Sequence, residues 1–276
     1  MFRYCLNTGT ISGQKLSLED EMVVASKAGF DSVEPWMREI HAYRKTKGSL
    51  KPLREHIVEL GLSVESAIGF GKWAVEDGAE RQAGLDEVRR DMEALAELGG
   101  KRLACPPVGA TDKPIDLSRF QERYEAVLKL GDEFGVQPLL ELWGFSANLS
   151  KIEDVLKIAA TAAHSKAAIL LDVYHIYKGG GNYEAMRLLS QQALPVLHLN
   201  DFPANPPRET IKDADRVFPG DGIAPLDKIL QIVERNGGTI LSLELFNRNY
   251  WAMPALEACR TGLLKSVAAV AHALSK

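Results

Sequence analysis

Short apolar runs alternate with longer amphipathic segments along the whole chain. The runs at 137–141 and 167–172 carry apolar side chains at successive positions, which is typical of parallel strands covered by helices. At five places a glycine comes between an amphipathic segment and the next run, where it suits the left-handed capping position of a helix. The first four of these glycines are spaced by 32, 38 and 36 residues, about the length of one strand–helix unit. They are followed by a fifth in the same context: Gly29, Gly61, Gly99, Gly135 and Gly237.

The pattern predicts eight strands with helices between them. The strands are expected near 3–7, 30–34, 62–66, 101–105, 137–141, 167–172, 195–199 and 239–244. The first helix begins at Ser17 as its N-cap, with Asp20 three residues further on. Eight such units in a chain of this length predict an α/β fold, a (β/α)8 TIM barrel that forms one domain over residues 1–276. The alternative is an open doubly wound sheet, but residues 9–13 lack the glycine-rich fingerprint that usually follows its first strand.

Composition narrows the class of protein further. The chain has 276 residues, 46% of them hydrophobic and 25% charged, and a formal net charge of −4. This balance is normal for a soluble globular chain and argues against nucleic acid as a partner. Three widely spaced cysteines, Cys5, Cys105 and Cys259, argue for a reducing compartment. With no signal-like or membrane-spanning run, we expect a cytoplasmic protein without a membrane partner; the sequence permits a homo-oligomer.

Four neighbouring strands end in residues that bind metals. The predicted strands five to eight end in Glu141, Asp172, His198 and Glu244. In a barrel of this kind the carboxyl ends of the strands form the active-site face. Each residue alone has an ordinary structural explanation: a salt bridge or helix cap for the acids, a core position for the histidine. Together they predict one cluster at the barrel mouth.

Such a cluster needs either protonated carboxyl groups or a cation among them. Two carboxylates about 4 Å apart repel by about 4 kcal/mol at an effective dielectric constant near 20. A divalent ion turns this repulsion into coordination, with neutral His198 donating a nitrogen. We expect one ion at this site. Three oxygen donors and one nitrogen favour Mn²⁺, with Mg²⁺, Co²⁺, Fe²⁺ or Zn²⁺ as alternatives.

Other residues near strand ends are candidates for contact with a substrate. Glu34 and Glu65 end strands two and three, and each is equally well explained as a structural ion pair. Trp36, Trp143 and Trp251 follow strands, and an indole face packs well on a sugar-like ring. Trp143 and Glu34 are therefore candidate substrate-binding residues.

The longest irregular segment, 201–223, is rich in Pro, Asp and Gly and is expected to be a functional loop. Its Arg216 is a candidate to hold a substrate oxygen, with an ion pair to Asp213 or Asp215 as the alternative. Asn200 and Asp201 are expected to orient His198 from behind.

These residues resemble the xylose isomerase-like TIM-barrel superfamily of sugar isomerases and epimerases. Its motif set of Glu, Asp-x-x-His, His and Glu is matched by Glu141, Asp172 to His175, His198 and Glu244. The segments 198–201, 213–222 and 242–247 further resemble inosose (2-keto-myo-inositol) isomerases. The resemblance to the DNA-repair branch of the superfamily is weaker. Strands three and four lack that branch's histidine ligands, and Arg216 follows Asp215 where the branch has an Asp-x-His pair.

The resemblance implies a metal-dependent isomerase or epimerase of a ketose, inosose or related polyol-derived ketone. It implies that Glu141 and Glu244 act as acid and base through an enediolate and that His175 contacts a substrate hydroxyl. The partner is then a small-molecule sugar or cyclitol. Two alternatives stay open: a lyase on the same scaffold, such as an inosose or dehydroshikimate dehydratase, and a non-catalytic sugar-binding barrel.

Overall fold

Nine parallel strands form one sheet in the computed structural model, which describes residues 2–276. Their bounds are β1 Arg3–Asn7, β2 Ser32–Glu34, β3 Ser63–Val64, β4 Ala67–Ile68, β5 Arg102–Cys105, β6 Gln137–Glu141, β7 Ala168–Asp172, β8 Val196–Leu199 and β9 Ile240–Leu243. The predicted strands three to eight thus correspond to β3 with β4, then β5 to β9.

Ten α-helices connect the strands and cover the outside of the sheet. Their bounds are α1 Leu18–Ala28, α2 Met37–Lys47, α3 Lys51–Glu59, α4 Gly78–Leu98, α5 Leu117–Phe134, α6 Ile152–Thr161, α7 Val173–Lys178, α8 Leu226–Arg235, α9 Arg248–Trp251 and α10 Ala255–Leu274. Helix α1 begins as predicted, because the Ser17 side chain accepts from the backbone N–H of Asp20. It ends at Gly29, whose φ of 101° is the left-handed value that glycine adopts without strain. Over residues 2–276, the structure has no helix with both the length and the apolar character needed to cross a membrane.

The sheet curls into a nearly closed barrel, which confirms the predicted TIM-barrel fold over the open doubly wound alternative. Its strands follow the order β3, β2, β1, β9, β8, β7, β6, β5, β4. The two ends of this order, β3 and β4, are halves of the predicted third strand: β3 pairs with β2, and β4 pairs with β5. The prediction of one continuous strand at 62–66 is therefore corrected, because the strand is interrupted at Glu65 and Ser66.

Two apolar clusters lie on the two faces of the sheet. The larger cluster lies between the strands and the helices, and the smaller one contains side chains from strands around the barrel. Side chains on a strand alternate between faces, so Ala168 and Leu170 of β7 belong to the inner cluster while Ile169 and Leu171 belong to the outer one. The inner cluster consists of Cys5, Ile68, Ala104, Leu139, Ala168, Leu170, Val196 and Ile240. The three cysteines are free and buried, as expected of thiols that serve packing.

Candidate metal centre

The polar residues of the site continue the inward-facing rows of the barrel core. Counting two residues on from an inner-core position reaches the next side chain on the same face. From Leu139, Leu170 and Val196 this step leads to Glu141, Asp172 and His198, and from Ile240 two steps lead to Glu244. The strand register sets their depth: Asp172 is paired with His198 across β7 and β8.

His198 lies at the centre of the cluster and is fully buried. Its Nε2 is 2.9 Å from Oε2 of Glu34, and its Nδ1 is 3.2 Å from Oε2 of Glu244 and 3.7 Å from Oδ2 of Asp172. Burial alone would lower the pKa of His198, but the Glu244 and Glu34 carboxylates outweigh it and raise that pKa well above its usual range. The ring therefore has one nitrogen held by Glu34 and the other facing two carboxylates.

Asp172, His198 and Glu244 meet the geometric requirement for a shared cation. One donor atom from each lies within 4.8 Å of the other two, and all three residues are buried. Nδ1 of His198 makes no hydrogen bond to any residue in the described part of the chain. A buried nitrogen without a partner beside two carboxylate oxygens suits a divalent ion. This donor set therefore fits the divalent ion that the sequence predicts.

Glu141 lies beside this trio and not within it. Its Oε1 accepts a hydrogen bond of 3.1 Å from the indole Nε1 of Trp143, and this contact restrains the side chain. Its Oε2 is buried and has no hydrogen-bond partner among residues 2–276. Burial raises the pKa of Glu141 to about 8; the negative charge of Glu244 adds to this rise and the charge of His198 opposes it. The predicted convergence of four residues is thus seen for three, with the fourth facing the same cavity.

Arg216 reaches the cluster from the loop between β8 and α8, and its side chain is only 1% exposed. Its Nη1 donates to Oδ2 of Asp172 at 3.0 Å and to Oε2 of Glu244 at 2.9 Å. Its Nη2 donates to Asp213, the ion pair expected as the alternative to substrate contact, and lies 3.2 Å from Nε2 of His175. Burial together with the charge of Arg216 lowers the pKa of His175 to about 4, so this imidazole is neutral.

Glu34 has a different place from the one predicted. It does not line the cavity, and its fully buried Oε2 accepts from Asn7 at 2.9 Å and from Ser242 at 2.7 Å as well as contacting His198. The structure thus places Glu34 against His198 and not at the cavity where substrate contact was predicted. Sequence reasoning missed Asn7 and Ser242, although both lie on the inward-facing rows of their strands.

The predicted role of Asn200 and Asp201 behind His198 is also corrected. Asn200 donates to Oδ2 of Asp172 at 2.9 Å and accepts from the backbone N–H of Tyr174. Asp201 instead fastens the loop that carries Arg216, because its two oxygens accept four backbone N–H groups. These belong to Phe202, Gly220, Gly222 and Ala224. Within the described residues neither side chain hydrogen-bonds His198, whose Nε2 contacts Glu34 instead.

Glu65 forms the structural ion pair that was one of its two expected roles. Its carboxylate is paired with Arg3 at 2.8 Å, Lys101 at 2.7 Å and Arg102 at 3.1 Å. Arg3 and Arg102 are the first residues of β1 and β5, so the cluster lies at the amino ends of strands. Burial would raise the pKa of Glu65, but hydrogen bonds from Lys101, Ser63 and Arg3 outweigh it and lower that pKa to about 2.

A cavity of about 300 Å³ opens above the cluster. Its polar lining consists of Glu141, His175, Asp213, Arg216 and Glu244. Aromatic rings form much of the rest: Trp36, Phe70, Trp143, Phe145 and Phe246. Trp36 and Trp143 were expected here, whereas Trp251 lies outside, with its Nε1 donating to the carbonyl of Gly9. The three phenylalanines were missed, although each follows the end of a strand by two to four residues.

A parallel barrel of eight strand positions with an Asp–His–Glu cluster at the carboxyl ends of its strands defines the class of protein. The family model described as the xylose isomerase-like TIM barrel matches residues 23–266. The chain therefore belongs to the xylose isomerase-like TIM-barrel family.

Two curated relatives of the chain are both named inosose isomerase. The chain is 27% identical to an inosose isomerase of Bacillus subtilis (strain 168) over 199 residues, which covers 69% of this chain and 70% of the relative. It is 25% identical to an inosose isomerase of Bacillus velezensis over 273 residues, with 94% of both chains covered. A crystal structure of the IOLI protein with a binding zinc atom superposes with a TM-score of 0.90 at 23% identity, covering 99% of this chain and 100% of the other.

Proposed function

We propose that the protein is a divalent-metal-dependent isomerase or epimerase of an uncharged polyol ketone of the inosose type. The observation that carries the proposal is the placement of the Asp172, His198 and Glu244 donor set and a separate buried carboxylate, Glu141, at one aromatic-walled cavity. The relatives named inosose isomerase and the zinc of the IOLI structure support it.

Asp172, His198 and Glu244 would hold the ion, and Oε2 of Glu141 is available as a fourth donor. A bound divalent ion supplies Lewis acidity toward a ketone and its neighbouring hydroxyl. The oxygen-rich donor set favours Mn²⁺. The single imidazole, together with the zinc of the IOLI structure, favours Zn²⁺. We keep Mn²⁺ as the first candidate and Zn²⁺ as the second.

Proton transfer is assigned to the two glutamates at the cavity. Glu244 has both oxygens occupied, since Oε1 accepts from Asn7 and Oε2 accepts from Arg216. Glu141 has one free oxygen facing the same space, so Oε2 of Glu141 is the better-placed atom to take a proton from a carbon next to the carbonyl. Glu244 is the second acid–base group: it would deliver a proton of its own to the other carbon and regain one from solvent, while Glu141 releases the proton it took.

The charges around the cavity favour an uncharged substrate. Within the described residues that line it, Arg216 is the one permanent cation, and both of its Nη atoms are already bound to carboxylates. With the proposed ion engaged by the ketone and its neighbouring hydroxyl, a phosphate or carboxylate group would therefore meet Glu141, Asp213 and Glu244 without a free cationic partner. This disfavours sugar phosphates and dehydroshikimate.

The aromatic walls favour a ring with one apolar face. Trp36 and Phe70 have ring centroids 5.0 Å apart, and Trp143 and Phe145 have centroids 5.2 Å apart. Trp143 and Phe70 offer surfaces on which the C–H face of a cyclitol can pack while its hydroxyls reach His175 and Arg216. Small hydroxyl-rich rings are thus the substrate class.

The decisive experiment follows solvent exchange by NMR. The protein with Mn²⁺ or Zn²⁺ is incubated with 2-keto-myo-inositol in D₂O, and deuterium incorporation next to the carbonyl is followed with formation of an isomeric ketone. We expect both for the unaltered protein and a loss of at least 100-fold in Glu141→Gln. Glu153→Gln, at an exposed position on α6, is the matched control and should exchange normally.

Two results would count against the proposal. Appearance of an unsaturated ketone with release of water would assign the site to a dehydratase. Binding of the ketone without deuterium incorporation, for either ion, would assign it to a non-catalytic sugar-binding barrel.

A further inference from the structure

The guanidinium of Arg216 contacts the same two oxygens that a metal ion would use. Oδ2 of Asp172 and Oε2 of Glu244 are the carboxylate atoms nearest to Nδ1 of His198, at 3.7 and 3.2 Å. Both accept hydrogen bonds from Nη1 of Arg216, at 3.0 and 2.9 Å. One cationic nitrogen thus bridges two members of the Asp172, His198 and Glu244 set.

This guanidinium is buried and is held on several sides. Its side chain is 1% exposed, its centre lies 4.5 Å above the ring of Tyr174 and 5.1 Å from that of Phe246, and Nη2 is bound to Asp213. The backbone carbonyl of Arg216 also accepts from Asn247 at 2.9 Å. The charge therefore stays at the cluster in every state in which the loop is folded.

Buried carboxylates are costly unless a cation compensates them. In the protein without an ion, Arg216 supplies this compensation to Asp172 and Glu244. When an ion binds the same oxygens, the two cations repel each other across a short distance in a site that excludes water. Each cation therefore lowers the affinity of the site for the other.

We propose that Arg216 is an internal counter-ion that competes with the divalent metal and sets its affinity. The inference rests on the metal site of the proposed function and goes beyond it. Arg216 stabilises the ion-free protein, and it weakens metal binding to the level at which the ion exchanges readily. Removing the guanidinium reverses both effects.

The test measures metal affinity and ion-free stability separately from turnover. Mn²⁺ and Zn²⁺ dissociation constants are determined by competition with a chromophoric chelator, and melting temperatures are recorded with chelator and with each ion. We expect Arg216→Gln to bind both ions at least tenfold more tightly than the unaltered protein. Its ion-free form should melt lower, and the rise in Tm on adding the ion should be larger.

Arg208→Gln is the matched control because Arg208 lies on the same loop, is exposed, and contacts Glu209 at 3.5 Å. It should leave all of these values unchanged. Arg216→Lys retains a charge but loses the planar fork, so its affinity should fall between those of the unaltered protein and Arg216→Gln.

A rescue experiment is independent of how well Arg216→Gln folds. In Arg216→Ala the side-chain space is vacated, so low millimolar guanidinium chloride should weaken Mn²⁺ binding, compared with sodium chloride at equal ionic strength. The unaltered protein should show no such difference.

The outcomes separate the two proposals. If the unaltered protein binds neither ion, the metal site fails and the competition fails with it. If the unaltered protein binds an ion while Arg216→Gln binds it equally or more weakly, the site stands and the counter-ion role of Arg216 is overturned. Guanidinium without effect on Arg216→Ala would also overturn it.

Discussion

The two ring nitrogens of His198 have different neighbours. Glu34 contacts Nε2, and the open Nδ1 faces Asp172 and Glu244. Imidazoles that bind metals commonly donate their other N–H to a carboxylate, which fixes the ring and raises its basicity as a ligand. Glu34 is therefore a positioning residue for the proposed metal ligand.

Glu34→Gln should weaken metal binding by roughly 10- to 100-fold, the usual cost of losing such a carboxylate. Chelator competition with Mn²⁺ or Zn²⁺ measures the change. Glu59→Gln, at an exposed position on α3, serves as the control and should bind like the unaltered protein. Unchanged affinity in Glu34→Gln would show that Glu34 does not orient the ligand.

Glu21 of α1 is a buried carboxyl group that is unconnected with the site. Its Oε2 has no hydrogen-bond partner in the part of the chain that the structure covers. Burial raises its pKa from 4.5 to about 9; the negative charge of Glu39 adds to this and Arg38 opposes it. The folded protein therefore keeps a proton that the unfolded chain releases near pH 4.5.

Unfolding then releases a proton between the two pKa values, so the stability contributed by Glu21 is complete below about pH 4.5 and falls as pH rises toward about 9. Glu21→Gln removes this dependence. Between pH 5 and pH 8 the free energy of unfolding of the variant should rise relative to the unaltered protein, by at most about 1.4 kcal/mol per pH unit. Urea unfolding at both pH values measures it, and parallel pH profiles would contradict the prediction.

Among the connecting elements, the loop between β8 and α8 is held together by the side chain of Asp201. The four backbone N–H groups bound by Asp201 come from both ends of the loop, and Asp201 also pairs with Val217 through its backbone. Gly222 lies so near that a Cβ there would be 2.3 Å from Oδ1 of Asp201. The position of Arg216 is therefore set by an acid fifteen residues earlier in the chain.

Asp201→Asn keeps one acceptor oxygen and replaces the other with a donor, so two of the four loop contacts are lost. We expect a loss of about 3 kcal/mol in the free energy of unfolding, and faster proteolysis within residues 202–222. Chemical denaturation and limited proteolysis measure the two effects. Asp221→Asn, which alters only an exposed ion pair with Lys265, should behave normally; equal behaviour of the two variants would remove Asp201 from this role.

The pattern of strands was predictable at the level of elements except for the third strand. Its apolar run suggested one continuous strand, but β3 and β4 are separated at Glu65 and Ser66. Glu65 turns toward Arg3, Lys101 and Arg102, and these partners lie 62, 36 and 37 residues away along the chain. Local hydrophobic patterning contains no information about such distant charges.

For the molecule as a whole, the proposed ion site would draw its ligands from the ends of three strands, β7, β8 and β9. Ligands that bind only the folded state stabilise it, by about 2.7 kcal/mol at a concentration one hundred times Kd. Saturating Mn²⁺ or Zn²⁺ should therefore raise the melting temperature by several degrees, and a chelator should reverse the shift.

Elemental analysis should accordingly find about one divalent ion per chain. Asp172→Asn should lose both the ion and the rise in melting temperature, because it removes an anionic donor at the centre of the cluster. Asp154→Asn, in the first turn of α6, is the control. A thermal response to the ion that persists in Asp172→Asn would place the ion elsewhere.

The order of strands and helices, the barrel and the residues Glu141, Asp172, His198 and Glu244 followed from the sequence alone. Periodicity is local, and parallel strands necessarily bring their carboxyl ends to one face. Only the tertiary structure decided which nitrogen of His198 faces Glu34, that Asp201 binds a loop, and that Arg216 lies between two of the acids. These depend on contacts of 2.9 to 3.0 Å between side chains remote in sequence, and no spacing along a chain encodes such contacts directly.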